Sequence, residues 1–159
     1  GFGASDHGDG CDAVDSPLSN CSNVPIEAMD MEYDYFRVED YSLVQDSGGA
    51  GRHRGGLGFQ RRYHILGDGV TFATYSDRFR LAPQGLFGGA DGVCASTQVL
   101  RGDEVIELAS KTSFTLQKGD ILVTRTGGGA GYGAPNERAA GDVERDLREG
   151  FVSGLEAAE

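Results

Sequence analysis

The residues best placed to do chemistry lie in and around short runs of glycine. The densest is Asp46-Ser47-Gly48-Gly49-Ala50-Gly51-Arg52-His53-Arg54-Gly55-Gly56-Leu57-Gly58. Side chains alternate along an extended segment, so Arg52 and Arg54 point the same way if this stretch is extended. Two guanidiniums beside glycine-freed backbone N–H groups suit an anion such as a phosphate or carboxylate group. The structural counterpart is that they pair with acids of this acidic chain and brace the loop. Asp46 and Ser47 offer a base and a hydrogen-bonding hydroxyl, while Asp-Ser before Gly48-Gly49 equally forms a turn. Asn20, Asn23 and Glu27 make a polar set where a loop enters a helix. They contact substrate, or Asn23 caps that helix and Glu27 satisfies its first turn.

Other constellations point to less. Asp6, His7, Asp9, Asp12 and Asp15 resemble a hard-cation site, but their spacing does not match an EF-hand loop. His7, Cys11 and Cys21 lack the close ligand pair of a zinc site. His53 and His64 adjoin no recognisable nucleophile motif. No metal site and no catalytic residue is therefore assigned. No glycine cluster has the lysine and hydroxyl of a P-loop or opens a helix as a dinucleotide fingerprint does.

These residues must be positioned by 159 residues, one domain's worth. Glycine contributes 26 of them but not at every third position, which excludes collagen. With 4 prolines and 38% hydrophobic residues, a wholly disordered chain is also excluded. The net charge of −11 repels a phosphate backbone, so nucleic acid is not the expected partner. Apolar runs are far short of a membrane helix. The chain opens on Gly1 rather than Met and shows no secretory leader, which reads as a fragment, a processed product or a trimmed chain. The 3 cysteines leave at least one unpaired and read as reduced thiols of a cytoplasmic protein.

The pattern along the chain predicts a mainly β domain, sandwich- or barrel-like, with glycine-rich loops and a short C-terminal helical segment. Residues 1–34 are expected to be polar loop plus a short helix from Pro25 to Glu32, packed on a partner. Residues 35–135 form the β-rich domain and 136–159 a helical tail. Period-two alternation marks Phe36–Leu43, with a one-residue slip after Asp40 that reads as a bulge. It also marks Phe59–Ile65 and Val70–Thr74. Further strands are expected at Val93–Leu100, Glu104–Leu108, Ser113–Leu116 and Asp120–Thr126, with turns at Gly67-Asp68-Gly69, Arg101-Gly102-Asp103 and Lys118-Gly119-Asp120. Asp142–Glu149 reads as a helix stopped by Gly150, and Ser153 with Glu156 as the cap of another.

The order of the glycine clusters is more specific than any one of them. Asn20-x-x-Asn23-x-Pro25-x-Glu27 precedes the Asp46–Gly58 run. Ser76-Asp77-Arg78, Pro83-x-Gly85-Leu86-x-Gly88-Gly89, Lys118-Gly119-Asp120 and Gly127-Gly128-Gly129-x-Gly131-Tyr132-Gly133-x-Pro135 follow, and Asp146-x-x-x-Gly150-x-Val152-Ser153 closes the series. This series resembles the C-terminal portion of the hydantoinase B/oxoprolinase family. The resemblance implies a C-terminal domain or small subunit of an ATP-dependent cyclic-amide hydrolase acting on a small molecule. It implies larger A-type and B-type partner units, with ATP and a divalent metal bound outside this chain and the isolated chain inactive. The alternatives are a subunit of an ATP-dependent ketone carboxylase and a non-catalytic β-rich assembly subunit.

Overall fold

The computed structural model describes residues 1–15, 17–19 and 25–154. Seven strands form: β1 (Phe36–Leu43), β2 (Phe59–Ile65), β3 (Val70–Tyr75), β4 (Ser96–Arg101), β5 (Glu104–Glu107), β6 (Lys111–Leu116) and β7 (Ile121–Arg125). They build a five-stranded antiparallel sheet in the order β1-β2-β7-β4-β5 and a two-stranded antiparallel ribbon, β3-β6. Ile65, Val99 and Leu122 from the sheet meet Leu116 from the ribbon in one buried cluster, with Leu108 beside them. Val70, Phe72 and Phe114 cover the cluster from the ribbon side. Exposure alternates along β3, β4 and β6, which puts one face of each inward, as in a sandwich. The sheet ends at β1 and β5 and closes no barrel.

The expected bulge in β1 is present, with the register shifting between Val38 and Asp40. The strand expected from Val93 starts only at Ser96, because Val93 and Ala95 bond to loop segments instead. The turns use their glycines as positive-φ residues, with φ of +58° at Gly102 and +92° at Gly119.

Two helices flank the sheets. Helix α1 (Ile26–Glu32) follows Pro25 and receives no side-chain cap from it. The Oδ1 of Asp30 in α1 accepts the Val38 N–H, tying the helix to β1. Helix α2 (Ala140–Arg148) starts two residues before the expected Asp142 and gives way to Gly150 at φ +72°. The Phe151 N–H then returns to the Asp146 carbonyl at 2.8 Å. The helix expected from Ser153 and Glu156 falls on positions that lie mostly outside the described residues.

Much of the remaining described chain lies outside the strands and α-helices, joined by isolated bridges such as His53 to Tyr132. A β-strand bonds to neighbours on two sides only, whereas the segment Gly127–Gly133 bonds to more. Within it, Ala130 O accepts from Ala4, Gly129 O accepts from Gly49, and Gly129 N donates to Gly56 O. Gly128 N donates to Val93 O and Gly131 N to Ala90 O, all five bonds lying between 2.7 and 3.0 Å. Extended chains thus surround it like rods in a bundle. A Cβ on Gly128 would lie 1.7 Å from Ser47 O, and one on Gly129 1.8 Å from Phe2 O. At such spacing only glycine fits.

Residues 1–13 belong to this bundle. Phe2 N donates to Cys11 O, Gly56 N to Phe2 O, Gly10 N to Arg54 O and Ala13 N to Leu57 O. The sequence reading expects this polar opening to lie on something else, and residues 1–13 lie along this chain's own glycine segments. Their ordering comes from main-chain hydrogen bonds to this chain's own glycines, which need no apolar side chains. Among the described residues, no helix is long and apolar enough to cross a membrane.

Candidate functional site

The Asp46–Gly58 loop is the natural place to begin. Ser47 is buried, and its hydroxyl donates to Val44 O at 2.6 Å and accepts the Gly58 N–H at 3.0 Å. Asp46 adopts φ +59°, donates its N–H to Phe151 O and accepts the Ser153 N–H on its carboxylate. Both residues thus fasten the loop. Gly48 and Gly49 lie against backbone, where added Cβ atoms would come within 2.0 Å of Gly55 O and 2.2 Å of Ala90 O.

Arg52 and Arg54 have different partners. Arg54 is 4% exposed, and its Nη1 donates to Asp12 at 3.0 Å and to Gly55 O at 2.7 Å. Its Nε lies 3.5 Å from the Asp146 carboxylate, and its guanidinium carbon 5.2 Å from the Phe151 ring centre. Arg52 instead lies 5.9 Å from the Tyr132 ring centre, with its buried Nε unbonded among the described residues. Between them, His53 exchanges main-chain hydrogen bonds with Tyr132. The two guanidiniums therefore share no partner, because Asp12 and Asp146 reach Arg54 from either side.

Around Arg54 the structure assembles a charge network that local spacing does not announce. Arg138 grips Asp9 with both Nη atoms, at 2.7 and 2.8 Å, and Asp146 at 2.7 Å. Arg145 reaches Asp9 at 3.1 Å, and the Arg54 N–H donates to the same carboxylate at 2.7 Å. Asp12 also accepts the Leu57 N–H at 2.7 Å. The opening segment, the glycine loop and α2 are thereby clasped together. Burial alone pushes the Asp9 carboxyl up. The Arg138 hydrogen bond, the Arg54 N–H and the charges of both arginines outweigh it and hold the carboxyl below its usual range. The Asp9 hydrogen bond, opposed by burial, raises Arg138 in turn.

Of the aspartates considered for a cation, Asp9 and Asp12 are thus committed to arginine, and Asp6 pairs with His7 on the exposed surface. Among the described residues, no group of three or more His, Cys, Asp or Glu side chains is arranged to hold a metal ion. Cys11 and Cys94 are free thiols. Glu27 is exposed in the first turn of α1. Asn20 and Asn23 lie outside the described residues. The sequence signal for the clasp was slight. Asp146 stands in the motif series, whereas Arg138 sits in a Pro-Asn-Glu-Arg turn with no periodicity around it.

Open space lies elsewhere, on both sides of Ser76-Asp77-Arg78. One cleft of about 330 Å³ runs between Arg78, Pro83, Phe2 and the glycines Gly127, Gly128 and Gly129. A second of about 450 Å³ opens at the end of the ribbon, between Arg78, Arg80 and Lys111. Arg78 borders both and adopts φ +62°, uncommon for a residue with a Cβ.

A mainly β sandwich fused to a glycine bundle and clasped by buried ion pairs defines a distinctive class of fold. The hydantoinase B/oxoprolinase family model matches residues 1–135, and the chain belongs to that family. A protein of Pseudomonas sp. (strain NS671), named as the B component of a D-/L-hydantoinase, is 34% identical over 148 residues, covering 91% of this chain and 25% of its own length. The ATP-dependent caprolactamase from Pseudomonas jessenii superposes with a TM-score of 0.70 at 28% identity, over 81% of this chain and 23% of that one. A nucleotide-free acetone carboxylase superposes with a TM-score of 0.76 at 18% identity, over 98% of this chain and 25% of that one, a likeness of fold. The chain spans a quarter or less of the length of the curated relatives it matches.

Proposed function

We propose that this chain is the C-terminal domain, or a small subunit, of the B-type unit of an ATP-dependent cyclic-amide hydrolase, opening a hydantoin, 5-oxoproline or lactam ring. The observation that carries the reading is its match to the ATP-dependent caprolactamase at 28% identity over 81% of the chain. Larger A-type and B-type units supply the rest in the cytoplasm, with ATP and a divalent metal held by them. Among the described residues no side-chain set fits a divalent metal, and no step is derived through the metal or ATP.

This chain's contribution is a rigid wall. Arg54, Asp46, Ser47, Gly48 and Gly49 hold the glycine bundle, while Arg52, with Asn20, Asn23 and Glu27, is left to meet the intermediate or the partner unit. The chain by itself is inactive. The test is reconstitution with the partner units, measuring ATP hydrolysis and ring opening in the same samples. Turnover of hydantoin, 5-oxoproline or a lactam only when this chain is present supports the reading. Equal turnover without it refutes a role in the reaction. The ketone-carboxylase alternative draws on the likeness of fold to acetone carboxylase. It predicts ATP hydrolysis that responds to a ketone with bicarbonate and not to a cyclic amide.

A further inference from the structure

The cleft at the open end of the β3–β6 ribbon has the makings of an anion site. Tyr75 and Lys111 form the last pair of the ribbon, and the Ser76 N–H donates to Ser110 O at 2.8 Å just beyond it. There the two chains part, leaving about 450 Å³ lined by Ser76, Asp77, Arg78, Arg80, Ser110 and Lys111. Three of these are cations and one is an acid.

Such a surplus runs against the rest of the molecule, whose net charge is −11. Several arginines elsewhere are met by carboxylates: Arg54 by Asp12, Arg62 by Glu39, Arg101 by Asp120 and Arg138 by Asp9. Among the described residues, none meets Arg78, Arg80 or Lys111 at ion-pair distance, not even Asp77 in the same cleft. Lys111 lies with its Nζ 4.2 Å from the Tyr75 ring centre, which holds it at the rim. The Arg78 carbonyl accepts the Ala95 N–H at 2.8 Å, pinning the backbone in its left-handed conformation.

We propose that this cleft binds the phosphoryl group of a small phosphorylated molecule. Guanidiniums match phosphate oxygens in forked pairs, and an ammonium adds a point charge. The hydroxyls of Ser76 and Ser110 supply further donors. A phosphoryl group carries close to two negative charges and three acceptor oxygens, which fits this donor set better than a single carboxylate does. The cleft is the size of a small-ligand pocket. The proposal rests on the hydrolase reading only for the source of the phosphoryl group. Its test reads binding and not turnover, so the two can fail separately.

The experiment is calorimetric titration of the 159-residue chain, at low salt and near neutral pH, with inorganic phosphate, methyl phosphate, acetate and ATP. One equivalent of phosphate or methyl phosphate is expected to bind, with acetate weaker. Arg78→Gln and Arg80→Gln should each weaken phosphate by at least about tenfold, a loss of ~1.4 kcal/mol. Because Arg78 occupies a left-handed position, its variant also carries a folding risk. Arg80→Gln and Lys111→Gln, at exposed positions, keep the test intact with an unchanged melting temperature as control. Absence of phosphate binding, or affinity unchanged in both Arg80→Gln and Lys111→Gln, overturns the proposal. ATP binding more than about tenfold tighter than methyl phosphate would assign the cleft to a nucleotide and overturn it as well.

Discussion

Asp146 shows how much can depend on one side chain. It is 2% exposed and faces Arg54, Arg138 and Arg145. Removing one member of such a group leaves buried charge unpaired, so Asp146→Ala should cost roughly 3 kcal/mol of folding stability. Chemical denaturation of the variant checks this, and a loss below about 1 kcal/mol would show that the clasp is ornamental. Arg54→Lys should also lower stability, because an ammonium cannot serve Asp12, Gly55 O and Asp146 together. If assembled complexes containing it keep normal turnover per complex, Arg54 braces and does not touch substrate. Acid should find the same weakness. Asp9, Asp40 and Asp120 all titrate below the usual aspartate range in the folded chain. For Asp40 the leading cause is the Gln60 hydrogen bond, and for Asp120 that from Arg101. A carboxyl depressed by folding adds stability above its unfolded pKa of ~3.9 and loses it as pH falls toward the folded value. Melting temperature should therefore hold near neutrality and drop below about pH 4, and Asp120→Asn should blunt that drop. A melting profile that rises on acidification would contradict this assignment.

At the scale of elements, the glycines divide into those that space demands and those it does not. Gly128 admits no Cβ, because Ser47 O would lie 1.7 Å from it. Gly141 in α2 has nothing within 4 Å of its Cβ position. Gly128→Ala should cost at least about 4 kcal/mol or prevent folding, while Gly141→Ala should add ~0.5–1 kcal/mol. Thermal melts of the two variants separate the effects, and similar stabilities would refute the bundle. The opening segment is a second test. Amides of Phe2, Gly10 and Ala13 donate to carbonyls of this chain, so their hydrogen exchange should be slow in the isolated chain. Fast exchange there, next to slow exchange in β2, would place their ordering in a partner.

Strands were legible where one face lies deeper than the other, as along Phe36–Leu43 before its bulge and along Val70–Tyr75. The bundle was not, because a segment packed through its backbone writes only glycine, which also marks turns. The clasp was hidden by distance along the chain, with Asp9 meeting Arg138 across 129 positions. Arg52 and Arg54 stand out in the sequence by their glycine surroundings. Which acids reach Arg54 is a fact of tertiary structure.

At the scale of the whole molecule, a β sandwich and a glycine bundle are joined along β2, β7 and the loops that leave them. The bundle's rods are short of side chains and dense in main-chain bonds, and in the proposed reading they form the wall of a neighbouring site. That suits the proposed place in a larger enzyme, in line with a chain spanning a quarter or less of its curated relatives. The measurement that tests this most directly is reconstitution of the A-type and remaining B-type units with and without this chain. Stoichiometry, ATP hydrolysis and cyclic-amide opening are to be read from the same samples. Stoichiometric incorporation is expected, with ATP-dependent ring opening that requires this chain and no turnover by the chain alone. Ring opening at full rate in its absence, or by the isolated chain, would contradict that role.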